Sequence, residues 1–481
     1  MFKPAAHHQP SPRRLPEGRT AASLRLRRSL SVLALVLVAM LAAAFRPAEA
    51  RCVDEDSFDD RGAAASPTPG APSSPAPAPA PAPLEQLQNL VREALSRNHG
   101  VDAARLLAEA ALQDTEEARA NKGIQASLTA SASPGLGTDG HRLDGQMQLR
   151  TGLAVGRTIY DGGRLDRIVD WRSQQAEVAR LGQIGTQEQI ALSVVSLAFE
   201  RSRYRMQAGV YSQYVRKTGC LVEALQTLVD ADRGRMSELV QARKQLQQAE
   251  LQQVQAVSSA RQIEVKLRRL VGDGLPSIQG LSTLLLAVPE LPEVLAAGEG
   301  ASDIAQLAAN TGALQALARA VEAGTKPQVS WNVGGSGLLG VGSGNPRSAS
   351  LNAGVTVSIP LLNPGVEHSV QAARKRAQAS ALQRSDALET RRARIAEVHE
   401  QSVSAFDRLR RVALVLRDSD RVRNFTLQQW QQLGRRSLFD VMAAEADHYN
   451  LRVQYVNSLH DGQQMNATLV SLGSGLQAWM N

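Results

Sequence analysis

The sequence feature that most constrains the fold is a segment of twelve residues that occurs twice. It reads GLAVGRTIYDGG at residues 152–163 and GVTVSIPLLNPG at residues 354–365, an offset of 202 residues. Each copy starts with alternating apolar residues, as a β-strand does, and breaks at a turn rich in glycine or proline. A long run of helix-forming residues follows each turn. Two copies of one strand-turn-helix corner indicate that the chain consists of two similar halves.

The first 50 residues have the parts of a signal peptide. Basic residues, including Arg27 and Arg28, precede an apolar run at residues 30–45, and residues 48–50 form an AxA-type cleavage site. The apolar run is shorter than the roughly 20 residues that span a bilayer as a helix. We therefore expect cleavage before Arg51. No later stretch is apolar enough for a helical span, so a membrane contact of the mature chain would have to use strands.

The net charge of +8 is concentrated in the predicted signal peptide. Residues 1–50 carry eight Lys or Arg and two acidic residues, whereas the rest of the chain carries 46 basic and 44 acidic residues. A nearly neutral mature chain argues against a nucleic-acid partner.

The two cysteines indicate neither a metal site nor a lipid anchor. Cys52 follows Arg51, where a lipoprotein signal needs a small residue, so we expect Cys52 to be unmodified. Export would permit a disulfide with Cys220. The sequence leaves this pairing open but favours two unpaired thiols, because Cys52 lies in a tail and Cys220 in a helical region.

Composition divides the mature chain into four segments. Residues 51–83 are first acidic and then rich in Pro and Ala, which is typical of an extended spacer without a core. A first repeat is predicted at residues 84–275 and a second at residues 303–481. Residues 276–302 contain three prolines and are predicted to be the linker between the repeats.

Four strands are predicted, at about residues 124–133, 146–160, 328–335 and 351–361, and Gly-rich loops join them into two hairpins. Each strand alternates apolar with polar residues, which suits a membrane barrel with one face in lipid and one in water. A soluble, half-buried sheet is the alternative. Four strands cannot close a barrel around a pore, so a barrel would be shared between chains.

Long helices are predicted at residues 164–271 and 366–478, because neither stretch contains a proline. If each folds back once, its arms have about 50 residues and a length of roughly 75 Å. Apolar and small residues keep a 3,4 spacing from Leu239 to Leu270 and from Val441 to Trp479, which is typical of coiled-coil packing.

In this order, the features resemble the TolC family of bacterial outer-membrane efflux and secretion proteins. The sequence IPLLNPG at residues 359–365 is similar to the family's Pro-Leu-Phe-Asp-Gly-Gly turn, and KPQVS at residues 326–330 resembles its strand entry. Gly434, Ser437 and Asp440 resemble its Gly-x-x-Ser/Thr-x-x-Asp motif in the returning helix. Ser237 and Glu238 match this motif more weakly in the first half. The resemblance covers about residues 84–481.

The resemblance implies a mixed α+β fold of two pseudo-repeats, each a β-hairpin followed by a long antiparallel helical hairpin. It implies a homotrimer whose twelve-stranded β-barrel lies in the outer membrane of a Gram-negative bacterium and continues as a periplasmic α-helical barrel. Hairpin tips would meet a periplasmic adaptor, the membrane fusion protein, that is coupled to an inner-membrane transporter. The motif around Ser437 would lie near that contact.

Two groups of residues acquire candidate roles from this architecture. The corners would bend the chain between the two barrels, so we expect a β-branched residue at Gly163 or Gly365 to impair assembly. The corner residues are Gly152, Gly163, Gly354, Pro360, Pro364 and Gly365. The tips are expected near residues 205–221 and 411–420. Asp418 and Asp420 would then form an acidic ring at the tunnel mouth, the alternative being ordinary solvated helix charges.

The predicted function is a passive exit path without an active site or cofactor. The absence of a lipidation cysteine favours the type I secretion branch, which includes the export duct of the adenylate cyclase toxin cyclolysin and works with an ABC transporter. A drug-efflux duct of the same fold is one alternative, and a soluble periplasmic coiled-coil scaffold or adaptor is another.

Two motifs that could suggest other chemistry lack the necessary context. GSGLLG at residues 335–340 satisfies GxGxxG, but a dinucleotide site needs a helix to follow, and we expect an outer loop instead. Glu445 and His448 form ExxH, but a di-iron bundle needs two such pairs and two further Glu residues. We therefore expect His448 to be a seam residue.

Overall fold

The computed structural model describes residues 82–139, 142–231, 233–275, 280–341, 347–433 and 436–480. The predicted signal peptide, the predicted spacer up to residue 81, Cys52 and Gly434 lie outside the described residues.

The chain alternates between helices and β-hairpins. The elements of the first half are α1 (Pro83–Arg97), α2 (His99–Ala120), β1 (Gln125–Asp139), β2 (Arg142–Tyr160), α3 (Arg164–Ala231) and α4 (Met236–Val271). The elements of the second half are α5 (Leu291–Glu299), α6 (Ser302–Ala323), β3 (Gln328–Val341), β4 (Arg347–Ser358), α7 (Pro364–Leu433), α8 (Leu438–Leu472) and α9 (Leu476–Met480).

The four strands form one antiparallel sheet in the order β1-β2-β3-β4, so β2 and β3 join the two halves. The strands extend further than the sequence predicts, because the Gly-rich segments expected as loops keep the backbone ladder. Gly135 pairs with Gln146, and Gly337 pairs with Ala349. The expectation of an outer loop at residues 335–340 is therefore wrong, since they belong to β3. Strand β4 ends at Ser358, before Pro360, which has no N–H for the ladder.

The two helical hairpins have unequal arms. Helix α3 has 68 residues and α7 has 70, whereas the returning helices α4 and α8 have 36 and 35. The predicted turns near residues 205–221 and 411–420 are wrong, because these residues lie inside α3 and α7. The chain turns instead between α3 and α4 and between α7 and α8. The prediction that each helical hairpin has two arms of equal length is therefore also wrong.

Other helices cover the sheet-proximal parts of α3 and α7. The C-cap residue of α4 is Gly272, whose φ of +97° lies outside the helical region, and that of α8 is Gly473. Helices α2 and α6 then pack against α3, and α6 also packs against α7. Asn310 of α6 donates a hydrogen bond to Ser380 of α7 at 3.4 Å. Each long helix thus packs against other helices besides its own returning arm.

The largest core lies where α1, α3, α4, α8 and α9 meet. It contains Leu87, Val194, Phe199, Leu267 and Leu476, each fully buried. Burial of each such side chain stabilises the fold by roughly 2 kcal/mol. Residues predicted to be a linker contribute to the cores as well. Leu281 lies in this core, and Val294 of α5 packs against Ile395 of α7.

No helix in the part of the chain that the structure describes combines the length and hydropathy of a membrane span.

Candidate functional site on the sheet, the corners and the hairpin ends

The sheet has one apolar and one polar face, because paired residues of all four strands share a side. One row across the strands contains Leu128, Leu153, Gly335 and Leu351, and the next contains Ser127, Ala154, Gly334 and Asn352. Leu128 is 79% exposed and Leu351 is 84% exposed. An exposed apolar surface of this kind marks contact with a lipid or a protein partner.

The first corner is closed by Asp161, a residue that the sequence analysis did not select. Its Oδ1 accepts a hydrogen bond from the N–H of Gly163 at 2.9 Å, and its Oδ2 accepts one from Leu165 at 2.6 Å. Gly162 and Gly163 have φ values of +66° and +85°, which favour glycine. The signal was present in the sequence, since Asp before Gly-Gly and a helix is typical of a capped turn.

The second corner uses different chemistry. Pro364 is the first residue of α7, a position where its missing N–H costs no helical hydrogen bond. Gly365 lies inside the helix, and an added Cβ would be 3.5 Å from Asn363 Oδ1, an ordinary contact. Gly152 and Gly354 lie in β2 and β4 rather than at the bends.

The predicted motif residues lie at the start of each returning helix. Ser437 Oγ accepts a hydrogen bond from the N–H of Asp440 at 3.2 Å, and Asp440 Oδ2 accepts one from the N–H of Ser437 at 3.1 Å. This reciprocal pair is a capping box. Ser237 and Glu238 lie in the first turn of α4, which begins after Arg235 without a side-chain cap. The two hairpin ends therefore differ chemically.

The two hairpin ends pack against each other. One buried cluster joins Leu225 of α3, Leu239 of α4 and Leu438 and Met442 of α8, and Trp430 of α7 packs on it. The motif residues of both halves are thereby brought to the same end of the molecule.

A buried ionic group links the two hairpins beside this cluster. The Glu445 carboxylate of α8 lies 4.0 Å from Lys217 Nζ of α3 and 3.7 Å from Arg423 Nη1 of α7. All three side chains are less than a tenth exposed. Nearby, burial raises the pKa of Tyr214, whose hydroxyl accepts a hydrogen bond from Gln245 at 2.7 Å. In the ExxH motif, Glu445 is thus part of a buried ionic group, and His448 is buried in the helix contact.

Asp418 and Asp420 lie within α7, well before its end at Leu433. They precede Leu433 by 15 and 13 residues, which places them about 20 Å along the helix from its end. Asp418 is paired with Arg421 at 3.4 Å on an exposed surface, and Asp420 accepts a hydrogen bond from Arg423 at 2.9 Å. Their place at a tunnel mouth stays a prediction.

Among the described residues, no group of three or more His, Cys, Asp or Glu side chains is arranged to hold a metal ion. Cys220 lies half-buried in α3 and is not bonded to another described cysteine.

No protein-family model and no curated protein matches the sequence, whereas solved structures match the fold. One match is CusC, whose crystal structures describe conformational changes that accompany folding and transmembrane channel formation. The TM-score is 0.72 and the identity is 19%, and the match covers 81% of this chain and 92% of that chain. VceC, an outer membrane protein of Vibrio cholerae, matches with a TM-score of 0.69 and 18% identity, covering 81% and 96% of the two chains. This chain has the fold of outer-membrane channels.

A third match extends this result to a channel whose structure represents an open state. The MtrE outer membrane channel of Neisseria gonorrhoeae has a TM-score of 0.69 and 16% identity, over 81% of this chain and 89% of that chain. The predicted TolC-like fold is therefore confirmed for a single chain.

Proposed function

We propose that this chain is a subunit of an outer-membrane channel of a Gram-negative bacterium, which gives substrates a passive exit path from the periplasm or an inner-membrane pump. One observation carries the proposal: an amphipathic four-stranded sheet, apolar on one exposed face, continues directly into helices of 68 and 70 residues. The apolar face would contact outer-membrane lipid, and the polar face would line water.

A closed channel requires several copies of the chain. Four strands leave the outer edges of β1 and β4 unpaired. Three copies would join these edges into a barrel of twelve strands, and their long helices would continue it as a helical tunnel. The proposed homotrimer is supported by the resemblance and by the likeness of the fold to known channels.

The hairpin ends are the proposed contact with a periplasmic adaptor. Besides the exposed Ser437 and Asp440, they carry two exposed apolar side chains, Met236 and Phe439, at 49% and 44% exposure. Exposed apolar side chains beside polar groups are typical of a protein contact. The adaptor would couple the channel to an inner-membrane transporter, and energy for transport would come from that transporter.

We propose protein export through a type I system, with an ABC transporter as the inner-membrane partner. The support is the expectation from the sequence that Cys52, which follows Arg51, is unmodified. Efflux of small molecules is the competing cargo assignment, and the fold is common to both. Affinity purification of the full chain with cross-linked partners distinguishes them, because an ABC exporter and a proton-driven pump differ in sequence and mass.

The channel proposal is tested by conductance across planar bilayers, with two adjacent residues of β4 as a matched pair. Leu351→Asp places a charge on the apolar face and should abolish insertion, whereas Asn352→Asp changes the polar face and should still conduct. A wild-type protein that stays soluble without detergent and never conducts would instead support the soluble scaffold. Membrane fractionation independently distinguishes a membrane channel from a soluble scaffold.

A further inference from the structure

The described side chains on the polar face of the sheet carry almost no charge. Among its described side chains, Arg150 is the only charged one. The others are Ser, Thr, Asn, Gln, small residues and one leucine. They are at positions 125, 127, 129, 131 and 133 in β1, 148, 152, 154, 156 and 158 in β2, 328, 330, 332, 334, 336, 338 and 340 in β3, and 348, 350, 352, 354, 356 and 358 in β4.

Arg150 projects from a wall of smaller neighbours. Ser131 is its partner in β1 and Leu338 its partner in β3, while Gly152 and Gln148 flank it on the same face of β2. The Arg150 side chain is exposed. No carboxylate among the described side chains of this face lies near it.

The position of Arg150 along the strand distinguishes it from the other arginines of the sheet. The strand pairing places Arg157 and Arg347 on the apolar face, near the ends of β2 and β4. An arginine on a lipid-facing surface is costly at the bilayer midplane and much less costly near the interfaces. Arg150 lies near the middle of β2, where only the face turned away from lipid accepts a charge at little cost.

We propose that Arg150 forms a cationic ring inside the barrel, with one residue from each copy, and that this ring attracts anions and disfavours cations in transit. The proposal rests on the proposed function, because it requires the polar face to line a pore. Its ligand class is small anions and anionic groups of larger solutes, such as carboxylates or phosphates. Guanidinium binds both groups through paired N–H donors.

Charge selection by one ring depends on ionic strength. The Debye length is about 30 Å at 0.01 M salt and about 10 Å at 0.1 M. In dilute salt, the potential of the ring therefore extends across the lumen, because the described side chains of the polar face carry no opposite charge. At about 1 M salt, where the Debye length is about 3 Å, the preference should largely disappear.

The test is the reversal potential of single channels in a tenfold KCl gradient at low ionic strength. Arg150→Gln should lower the ratio of chloride to potassium permeability by about twofold or more, and Arg150→Glu should lower it further. Arg150→Lys keeps the charge and should keep the wild-type ratio. Arg157→Gln removes an arginine from the opposite face of the same strand and should leave the ratio unchanged.

A second variant tests the ring without altering Arg150. Ser131→Asp introduces a carboxylate opposite Arg150, and such cross-strand pairs of opposite charge are favourable. This variant should reduce the chloride preference as Arg150→Gln does. Conducting channels whose permeability ratio is unchanged in both variants would overturn the inference and leave the channel proposal intact. A wild-type protein that never conducts would overturn the channel proposal itself.

Discussion

The Glu445 carboxylate lies 3.7 Å from the Arg423 guanidinium, and both side chains are almost completely buried between α7 and α8. Lys217 approaches the same carboxylate from α3, on the other hairpin, at 4.0 Å. Two cations thus share one buried anion where the two halves of the chain meet. Removal of the anion would take this partner from both buried cations, while Arg423 keeps its hydrogen bond to Asp420.

Glu445→Ala should therefore destabilise the protein by about 3–5 kcal/mol, the range observed when one partner of a buried ion pair is removed. The measurement is the midpoint of thermal unfolding in detergent. Asp418→Ala is the control, because Asp418 pairs with Arg421 in solvent and such pairs contribute at most about 1 kcal/mol. Equal midpoints for the two variants would show that the buried group does not stabilise the contact between the hairpins.

The capping box gives a prediction that separates the two hairpin ends. Ser437→Ala should destabilise α8 by about 1 kcal/mol, because the Asp440 N–H loses its acceptor. Ser237→Ala in α4 should have little effect, since that helix has no side-chain cap. Hydrogen exchange of the first turn of each helix measures the difference. Similar protection losses at both ends would contradict the assignment of the cap to α8 alone.

The two corners should respond in opposite ways to alanine. Gly163→Ala places a side chain at a φ of +85° and should cost about 1–2 kcal/mol. Gly365→Ala lies in a helix with room for a Cβ and should be neutral or stabilise by up to about 1 kcal/mol.

The expectation that a β-branched residue at Gly163 or Gly365 impairs assembly thus has a conformational reason at Gly163 only. The yield of assembled oligomer and its resistance to heat are the measurements. A loss of oligomer in Gly365→Ala comparable to that in Gly163→Ala would contradict the distinction between the corners.

Local patterns were sufficient to predict the elements of the fold. The alternation around Leu153 reflects a backbone that turns successive side chains to opposite faces, so the strands were visible in the sequence. The predicted positions of the hairpin turns are wrong because they depend on two arms of equal length in each hairpin. The apolar seams that begin at Leu239 and Val441 start within the first turns of α4 and α8, so the sequence already marked the true turns.

The candidate site was less predictable, because its contacts join distant parts of the chain. Lys217, Arg423 and Glu445 occupy three helices of two hairpins, and no spacing along one helix reveals their proximity. Asp161 was missed although its signal was local. The role of Arg150 depends on the register of β2 between β1 and β3, which determines the face on which the side chain lies.

A buried histidine predicts how stability depends on pH. His460 of α8 is fully buried, and its Nδ1 lies 2.9 Å from the carbonyl oxygen of Val456. Burial lowers the pKa of His460, and the positive charge of Arg203 adds to this effect, while the Val456 carbonyl and Asp461 oppose it. In the unfolded chain the same side chain accepts a proton as the pH falls through about 6.5.

Between these two pKa values the unfolded chain binds more protons than the folded chain, so stability falls as the pH drops below about 6.5. His460→Gln removes the titration and should lose less thermal stability than the wild type between pH 7 and pH 5. His368→Gln alters an exposed histidine of α7 and should follow the wild-type curve. The wild type and the His460→Gln variant differ only at position 460. If both lose the same stability between pH 7 and pH 5, the acid sensitivity of the protein does not arise from His460.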